Sequence, residues 1–377
     1  MQGEKQRRRK VYFMTVLLLG MLCLGGCSLQ NAEPESGISG QEVSGHLEVH
    51  YIDVGQGDAT LIKNGEHAML IDAGENDQGE NVCSYLESKG VEKLEYVVGT
   101  HPDSDHVGGL DVVLTGIECE EVLLPDVKAE TKTYEDVEMA VEETETAVIY
   151  PAVGDTYALG DAAFTVIAPN ADYGEDKNDW SVGLLLEYGE NRFLFTGDAE
   201  ERAEEDILDN GLKISADVYK ASHHGSKTAS GEEFLDAVQP SAAVISCGED
   251  NAYGHPSAQT LNSFRERGIE VYRTDEQGSI VAVSNGKTIS FNTSPDESWK
   301  AGEPKGSEKG REEKSQDGKS QDGKTRTTYI LNTNTKKYHR KDCARADIIE
   351  DKNRKISHKN KKQLAKDGYE PCGFCHP

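Results

Sequence analysis

Thr100-His101-Pro102-Asp103-Ser104-Asp105-His106-Val107-Gly108-Gly109 puts two imidazoles and two carboxylates within six residues, directly behind the apolar run Tyr96-Val97-Val98-Gly99. A short apolar run of this kind reads as a buried strand, and side chains crowded at a strand end can converge on one point. Imidazole and carboxylate are the ligands of borderline and hard divalent cations, and a cluster of them with an open coordination position activates water. Gly108-Gly109 lets the backbone turn closely around such a point. A polar turn that merely caps the next helix needs no such density of ligand-type side chains.

Elsewhere in the chain, more apolar runs end in the same chemistry: Met69-Leu70-Ile71-Asp72 earlier, and Phe193-Leu194-Phe195-Thr196-Gly197-Asp198 and Tyr219-Lys220-Ala221-Ser222-His223-His224 later. This order of strand-end ligands resembles the metallo-β-lactamase superfamily. Through Ile52-Asp53-Val54-Gly55-Gln56-Gly57-Asp58-Ala59, His101 to Gly109, His223-His224-Gly225-Ser226 and Tyr253-Gly254-His255-Pro256, the chain is similar to the hydrolase domain of the ComEC competence proteins and their secreted relatives. The resemblance covers residues 46–292 and implies an α/β fold, the metallo-β-lactamase-like αββα sandwich. The patterning agrees. Leu47, Val49 and Tyr51 alternate with polar residues, and short strands recur near Thr60, Ala68, Val122, Ala147 and Phe164. A hairpin over 182–195 turns at Gly189-Glu190-Asn191. Helices are expected at 82–89, from Leu110, and at 200–210, 231–238 and 257–266; strands followed by mixed strands and helices suit two sheets covered by helices.

At the strand ends, Asp105, His106, Asp198 and one of His223 or His224 can make a four-ligand site, with Asp198 placed to bridge a second metal started by His101 and Asp103. Two departures from the superfamily pattern matter. Asp103 stands where most members have histidine, and no histidine lies between His106 and His223. The second site is therefore poorer in nitrogen and expected to bind more weakly. Oxygen ligands tilt the preference from zinc, the superfamily default, toward manganese. Asn178 or Asp179 is a candidate for the missing contact. Successive strand residues face opposite ways, so both adjacent histidines reach one metal only if the strand has already turned; His223 is favoured as the ligand, with His224 orienting substrate or a neighbouring ligand. Asp72 is expected to orient a metal-bound imidazole. Asp58 either does the same or satisfies turn amides. Asp105 and His255 are the residues expected to act in catalysis, His255 as an acid near the leaving group on the strength of the resemblance, with a packed turn residue as its alternative.

The chain opens with the basic Gln6-Arg7-Arg8-Arg9-Lys10, then an uncharged run from Val11 to Leu24 that suits a signal h-region better than a membrane span. Leu24-Gly25-Gly26-Cys27 resembles a bacterial lipobox, which implies cleavage before Cys27 and lipid on its sulfur. Residues 1–27 are thus read as a signal segment, 28–45 as a tether, and the protein as lipid-anchored on the outer face of the bacterial cytoplasmic membrane; a plain anchor helix is the alternative. Residues 293–327, with Ser-Gln-Asp-Gly-Lys repeated from Ser315 and Ser320, read as a disordered linker.

The tail, 328–377, joins His339-x3-Cys343 to Cys372-x2-Cys375, a spacing that suits a structural zinc. Disulfides are the competing reading in an exported protein. The segment resembles the small α+β metal-binding domain of the Ada DNA-repair protein, except that His339 replaces the cysteine serving there as methyl acceptor, so repair by methyl transfer is not expected. Cys83, Cys119 and Cys247 sit among apolar neighbours and read as core fillers.

Charge divides the chain. The formal net charge is -28 over 377 residues, yet Lys and Arg outnumber Asp and Glu from Lys300 onward. An acidic body disfavours nonspecific docking on nucleic acid, whereas Arg340, Lys341, Arg345, Arg354, Lys355, Lys359, Lys361 and Lys362 in the tail can grip phosphates or form an ordinary solvated surface. With no Gly-x-Ser-x-Gly in the body, the expected reaction is metal-dependent hydrolysis using two divalent cations, zinc or manganese. Phosphodiester cleavage comes first, since the ComEC-like branch is associated with cutting DNA, which makes DNA or another phosphodiester polymer the substrate. An envelope esterase acting on phosphorylcholine or teichoic-acid groups and a non-catalytic binding lipoprotein are the alternatives. No protein partner can be inferred.

Overall fold

Strands Leu47–Tyr51 (β1), Ala59–Asn64 (β2) and His67–Ala73 (β3) form a meander in which Leu47, Val49, Tyr51, Ile62, Met69 and Ile71 face one side. The period of two does this directly: alternate residues of β3, Leu70 among them, turn to the opposite side, which is also buried. Lys93–Val98 (β4), Glu118–Leu123 (β5) and Ala147–Ile149 (β6) then add in parallel to β3. The computed structural model describes residues 45–302 and, further on, 329–340, 343, 346, 349, 351–357, 359 and 361–372.

A second sheet is built from Thr156–Leu159 (β7), Ala162–Ala168 (β8), Gly183–Tyr188 (β9), Asn191–Phe195 (β10), Val218–Lys220 (β11), Ala242–Ile245 (β12) and Glu270–Arg273 (β13). The expected hairpin is β9–β10, with Tyr188 opposite Asn191 across a Gly189-Glu190 turn. Ile280–Ser284 (β14) and Ile289–Phe291 (β15) return to extend the first sheet beside β1. In space the first sheet runs β15-β14-β1-β2-β3-β4-β5-β6 and the second β13-β12-β11-β10-β9-β8-β7.

Packing makes this a four-layer αββα sandwich. Leu184, Leu186, Phe193 and Phe195 meet the inner face of the first sheet in one buried cluster. Outside that sheet, helices Gly79–Ser88 (α1), Leu110–Gly116 (α2) and Lys132–Thr144 (α3) bury Val82, Leu86, Leu110, Val113 and Val137 against Leu61, Leu70 and Val97. Outside the second sheet, Glu201–Asp209 (α4), Glu232–Val238 (α5) and Ala258–Arg267 (α6) bury Ile207, Phe234, Leu261 and Phe264 against Leu194, Tyr219 and Ala243. The carboxyl ends of the parallel strands open on one edge, the usual place for a ligand in sheets of this kind.

The expected linker starts later than residue 293. From Thr293 to Gly302 the chain lies along the body: Asp296 N donates to Val271 O at 2.6 Å, Gly302 N to Pro256 O at 2.9 Å, and Trp299 and Ala301 pack on the outer core of the second sheet. The buried Arg273 guanidinium holds this strap through Lys300 O and Asp296. Polar composition hid a segment fixed mainly by its backbone and by one tryptophan.

The C-terminal unit has its own four-stranded sheet, Arg354–Ser357, Tyr329–Asn332, Lys337–Arg340 and Glu370–Pro371 in spatial order. Tyr329, Leu331, Tyr338 and Leu364 are buried on one side of it, and Ile330, Cys343, Ala346, Ile349 and Cys372 form a second buried cluster. Among the described residues no helix is long and apolar enough to cross a membrane. The expected lipid-bearing Cys27 and the fourth zinc ligand Cys375 lie outside the described residues.

Candidate metal centre

Each strand end delivers a side chain. Beyond β4, His101 is fully buried, and its Nδ1 lies 3.2 Å from Thr100 Oγ1 and 3.3 Å from Ser181 Oγ. One short helical turn, Ser104–Val107, brings Asp105 and His106 round to the same space. Gly57 makes that turn possible: a Cβ there would lie 2.4 Å from Asp105 O, and Asp58 N donates to that same oxygen. After β10, Gly197 at φ +52 swings Asp198 inward, and Ser181 Oγ accepts from Asp198 N at 3.0 Å.

The distances define one cluster. His106 Nε2 lies 3.1 Å from Asp198 Oδ1, and His224 Nε2 lies 3.2 Å from Asp105 Oδ2 and 3.4 Å from Asp198 Oδ2. His223 Nε2 is farther, 3.7 Å from Asp198 Oδ2, with its Nδ1 3.0 Å from Glu200. The structure therefore reverses the preference between the two histidines. Both adopt left-handed backbone, φ 48 for His223 and 54 for His224, so strand alternation has ended by then; His224 turns to the buried interior and His223 to the rim. Asp103 stands at the edge, half-exposed, its Oδ2 3.9 Å from His101 Nε2.

Behind the ring nitrogens sit the orienting acids. Asp72, itself at φ 59, accepts from Thr100 N and Oγ1, both at 2.8 Å, and its Oδ2 lies 2.8 Å from His106 Nδ1. This fixes a proton on Nδ1 and turns Nε2 toward the cluster. His224 Nδ1 is held by Ser246 O at 3.0 Å and faces Asp58 Oδ1 at 3.3 Å. Lys220 was not singled out in the sequence. It is 2 % exposed at the end of β11, and its Nζ lies 2.7 Å from Asp58 Oδ2. The signal was available: a lysine inside an apolar central strand needs a buried partner. Glu200 was also missed, whereas Asn178 and Asp179, the suggested replacement ligands, turn to Glu200 and its backbone N–H.

His101 Nε2, His106 Nε2, His224 Nε2 and Asp198 Oδ1 are buried without a well-directed hydrogen-bond partner. Leaving that many polar atoms unsatisfied is costly in a native fold. Burial opposes charge on His106 and His224, yet the carboxylates around them, Asp198 foremost, draw both well above the ordinary imidazole value. Burial would likewise raise Asp198, but His106 and His224 hold it well below the carboxylate range. His101, buried and beside His106, is pushed down to about 3 and stays neutral, as a ligand imidazole must. A field that draws protons to inward-facing nitrogens draws a cation equally, and the donor set fits a divalent ion.

His255 lies over the cluster. Its ring stacks on His224 at 6.0 Å and 26° and meets His223 edge-on at 5.4 Å. Burial, helped by those two imidazoles, lowers it to about 4. Cys83, Cys119 and Cys247 are unbridged, and burial pushes each thiol upward, so none is an activated nucleophile. In the C-terminal unit His339, Cys343 and Cys372 are all buried, and a ligand atom from each lies within 4.8 Å of the others, a set compatible with zinc.

ComE operon protein 3 of Bacillus subtilis strain 168 is 31% identical to this chain over 271 residues, 67% of this chain and 35% of that protein. Recombination protein 2 of Haemophilus influenzae is 29% identical over 238 residues, 62% of this chain and 28% of its own length. Competence protein ComA of Neisseria gonorrhoeae is 29% identical over 233 residues, 60% of this chain and 31% of its own length. The chain spans about a third of the length of these curated relatives. The family model described as the Metallo-beta-lactamase superfamily matches residues 52–249, the segment that contains Asp58, Asp72, His101, Asp105, His106, Asp198 and His224, and the chain belongs to that superfamily.

Proposed function

We propose that this protein is a metal-dependent phosphodiesterase, acting as a nuclease, held by an N-terminal lipid at Cys27 on the outer face of the cytoplasmic membrane. The observation that carries the reading is the convergence of buried, inward-facing atoms of His101, His106, His224 and Asp198 that no well-directed hydrogen bond satisfies. Asp105, His106, Asp198 and His224 would hold one divalent ion, zinc or manganese, with His101, Asp103 and Asp198 offering a weaker second position. A bound divalent ion supplies Lewis acidity, lowering the pKa of water and neutralising charge that builds on phosphoryl oxygens. Asp72 and Asp58 keep His106 and His224 in the tautomer that presents Nε2. His255, neutral at physiological pH, offers a hydrogen bond to the leaving oxygen, and the negative charge of a bound phosphate favours its protonated form. The names of the relatives, a recombination protein and a competence protein, support DNA as the polymer.

In the C-terminal unit, His339, Cys343 and Cys372 with Cys375 would hold a structural zinc, and the exposed Lys352, Lys355, Lys359, Lys361 and Lys366 give that unit a phosphate-binding character. The test is a cleavage panel of DNA, RNA, an aryl phosphodiester and a phosphorylcholine ester, with zinc or manganese, on wild type, Asp105→Ala and His106→Ala. Ion-dependent DNA cleavage lost in both variants is the expected result. Uncut DNA with a hydrolysed choline ester would instead make the protein an envelope esterase, which the acidic body also suits.

A further inference from the structure

Three aromatic rings lead from the metal centre to solvent. His224, inside the cluster, stacks with His255 at 26°, and His255 stacks with Tyr253 at 20° and 5.6 Å between centroids. Tyr253 ends the series at 67 % exposure, so a face of its ring is open to a ligand arriving from solvent. The loop that presents it is rigid. Asn251, itself 8 % exposed, accepts from the N–H groups of Tyr253, Gly254 and His255 through one oxygen, and its amide donates to Gly248 O and His255 O. From the other side Gly302 N ties down Pro256 O, at a spot where a Cβ would lie 2.2 Å from His255 O. A flat ring held in one orientation costs a ligand little ordering entropy.

Resting on the phosphodiesterase reading, we infer that Tyr253 is a stacking platform for one unpaired nucleobase beside the scissile phosphate, which makes single-stranded nucleic acid the substrate class. A paired base has its faces covered within the duplex, so only a single strand or a frayed end reaches the ring. Glu249 and Asp250, exposed on the same loop, repel phosphates farther out. They restrict the platform to one base and leave attraction of the phosphate to the metal centre. Stacking of this kind tolerates any base, because every base has a π-face.

The experiment compares single-stranded oligothymidylate with an abasic strand of equal length, using full-length protein loaded with manganese, as wild type, Tyr253→Ala and Tyr253→Phe. Wild type is expected to show kcat/KM higher on the base-bearing strand by about 5- to 100-fold, the range stacking on one aromatic side chain carries. Tyr253→Ala brings the ratio close to one, and Tyr253→Phe keeps it. Binding gives a second readout: 2-aminopurine in the strand is quenched by wild type and Tyr253→Phe, but not by Tyr253→Ala. An alanine variant with wild-type ratio and quenching overturns the platform while leaving the nuclease reading intact. Wild type that neither binds nor cuts either strand, yet hydrolyses an aryl diester, overturns both.

Discussion

Lys220 Nζ and Asp58 Oδ2 form an ion pair 2.7 Å long, with both side chains almost wholly removed from solvent. The lysine comes from the end of β11 and the aspartate from the turn before β2, so the pair ties the two sheets together directly beneath His224. It also occupies one oxygen of Asp58 and leaves the other to face His224 Nδ1. Asp58 is thereby an orienting group although its carboxylate falls within the ligand cluster.

Removing only the lysine strands a buried carboxylate. Lys220→Met is expected to destabilise the protein by about 3–5 kcal/mol, read from denaturant midpoints. Adding Asp58→Asn removes the stranded charge and should recover about half of that loss or more, because neutralising both partners avoids the desolvation penalty. A double variant as unstable as the single one would mean that the pair contributes through shape rather than charge.

Asp72 fixes the His106 ring through a 2.8 Å contact to Nδ1. Asp72→Ala frees the ring to rotate and to change tautomer. Affinity for manganese or zinc in the body should fall roughly 10- to 100-fold, measured by competition with a chromogenic chelator. Unchanged affinity would assign Asp72 to the Thr100 backbone alone.

Glu204 on α4 provides a pH test remote from the metal centre. It is buried, accepts from Ser230 N and Gly231 N ahead of α5, and burial pushes its carboxyl up to about 7. A carboxyl raised in the folded state stabilises most below its unfolded pKa, near 4.5, and that contribution is lost as pH rises through 7. The loss is on the order of 3 kcal/mol across this window. Glu204→Gln lacks the titration, and its amide NH2 faces one of the two donors, so it begins less stable at pH 5. The gap to wild type should narrow by pH 8 in paired thermal melts; a constant gap would contradict the assignment.

The zinc proposed for the C-terminal unit can be tested apart from the metal proposed for the body. Cys343→Ser should lower the zinc content by about one equivalent per chain and open the region beyond residue 328 to proteolysis, because a metal this deeply placed contributes folding free energy. Hydrolysis of an aryl diester by the body should persist. Intact protease resistance after loss of the ion would show that the buried Tyr329, Leu331, Tyr338 and Leu364 suffice for that unit.

Much of this was legible because chemistry and pattern coincide at strand ends. His101, Asp105, His106 and Asp198 each follow an apolar run, and a buried strand with polar ligands at its tip leaves few other readings. Helix α3 was missed because its inward stripe is only Tyr134, Val137 and Ala140 among glutamates, too narrow for a clear helical period. Strand β14 turns Ile280, Ala282 and Ser284 inward, and alanine and serine carry little β signal. The choice between His223 and His224 rests on two left-handed backbone angles that adjacent identical residues cannot encode separately. Lys220 inside an apolar strand signals a buried partner, but nothing local in the sequence says that the partner is Asp58, distant along the chain.

The most direct test of the central claim is titration of manganese into chelator-stripped, full-length protein by calorimetry, since thiolate-rich sites such as that of the C-terminal unit discriminate against manganese. The account expects at least about one equivalent bound by wild type, with none bound by the His106→Ala/Asp198→Ala double variant. Equal uptake by the two proteins, or none by wild type with manganese or zinc, would contradict it.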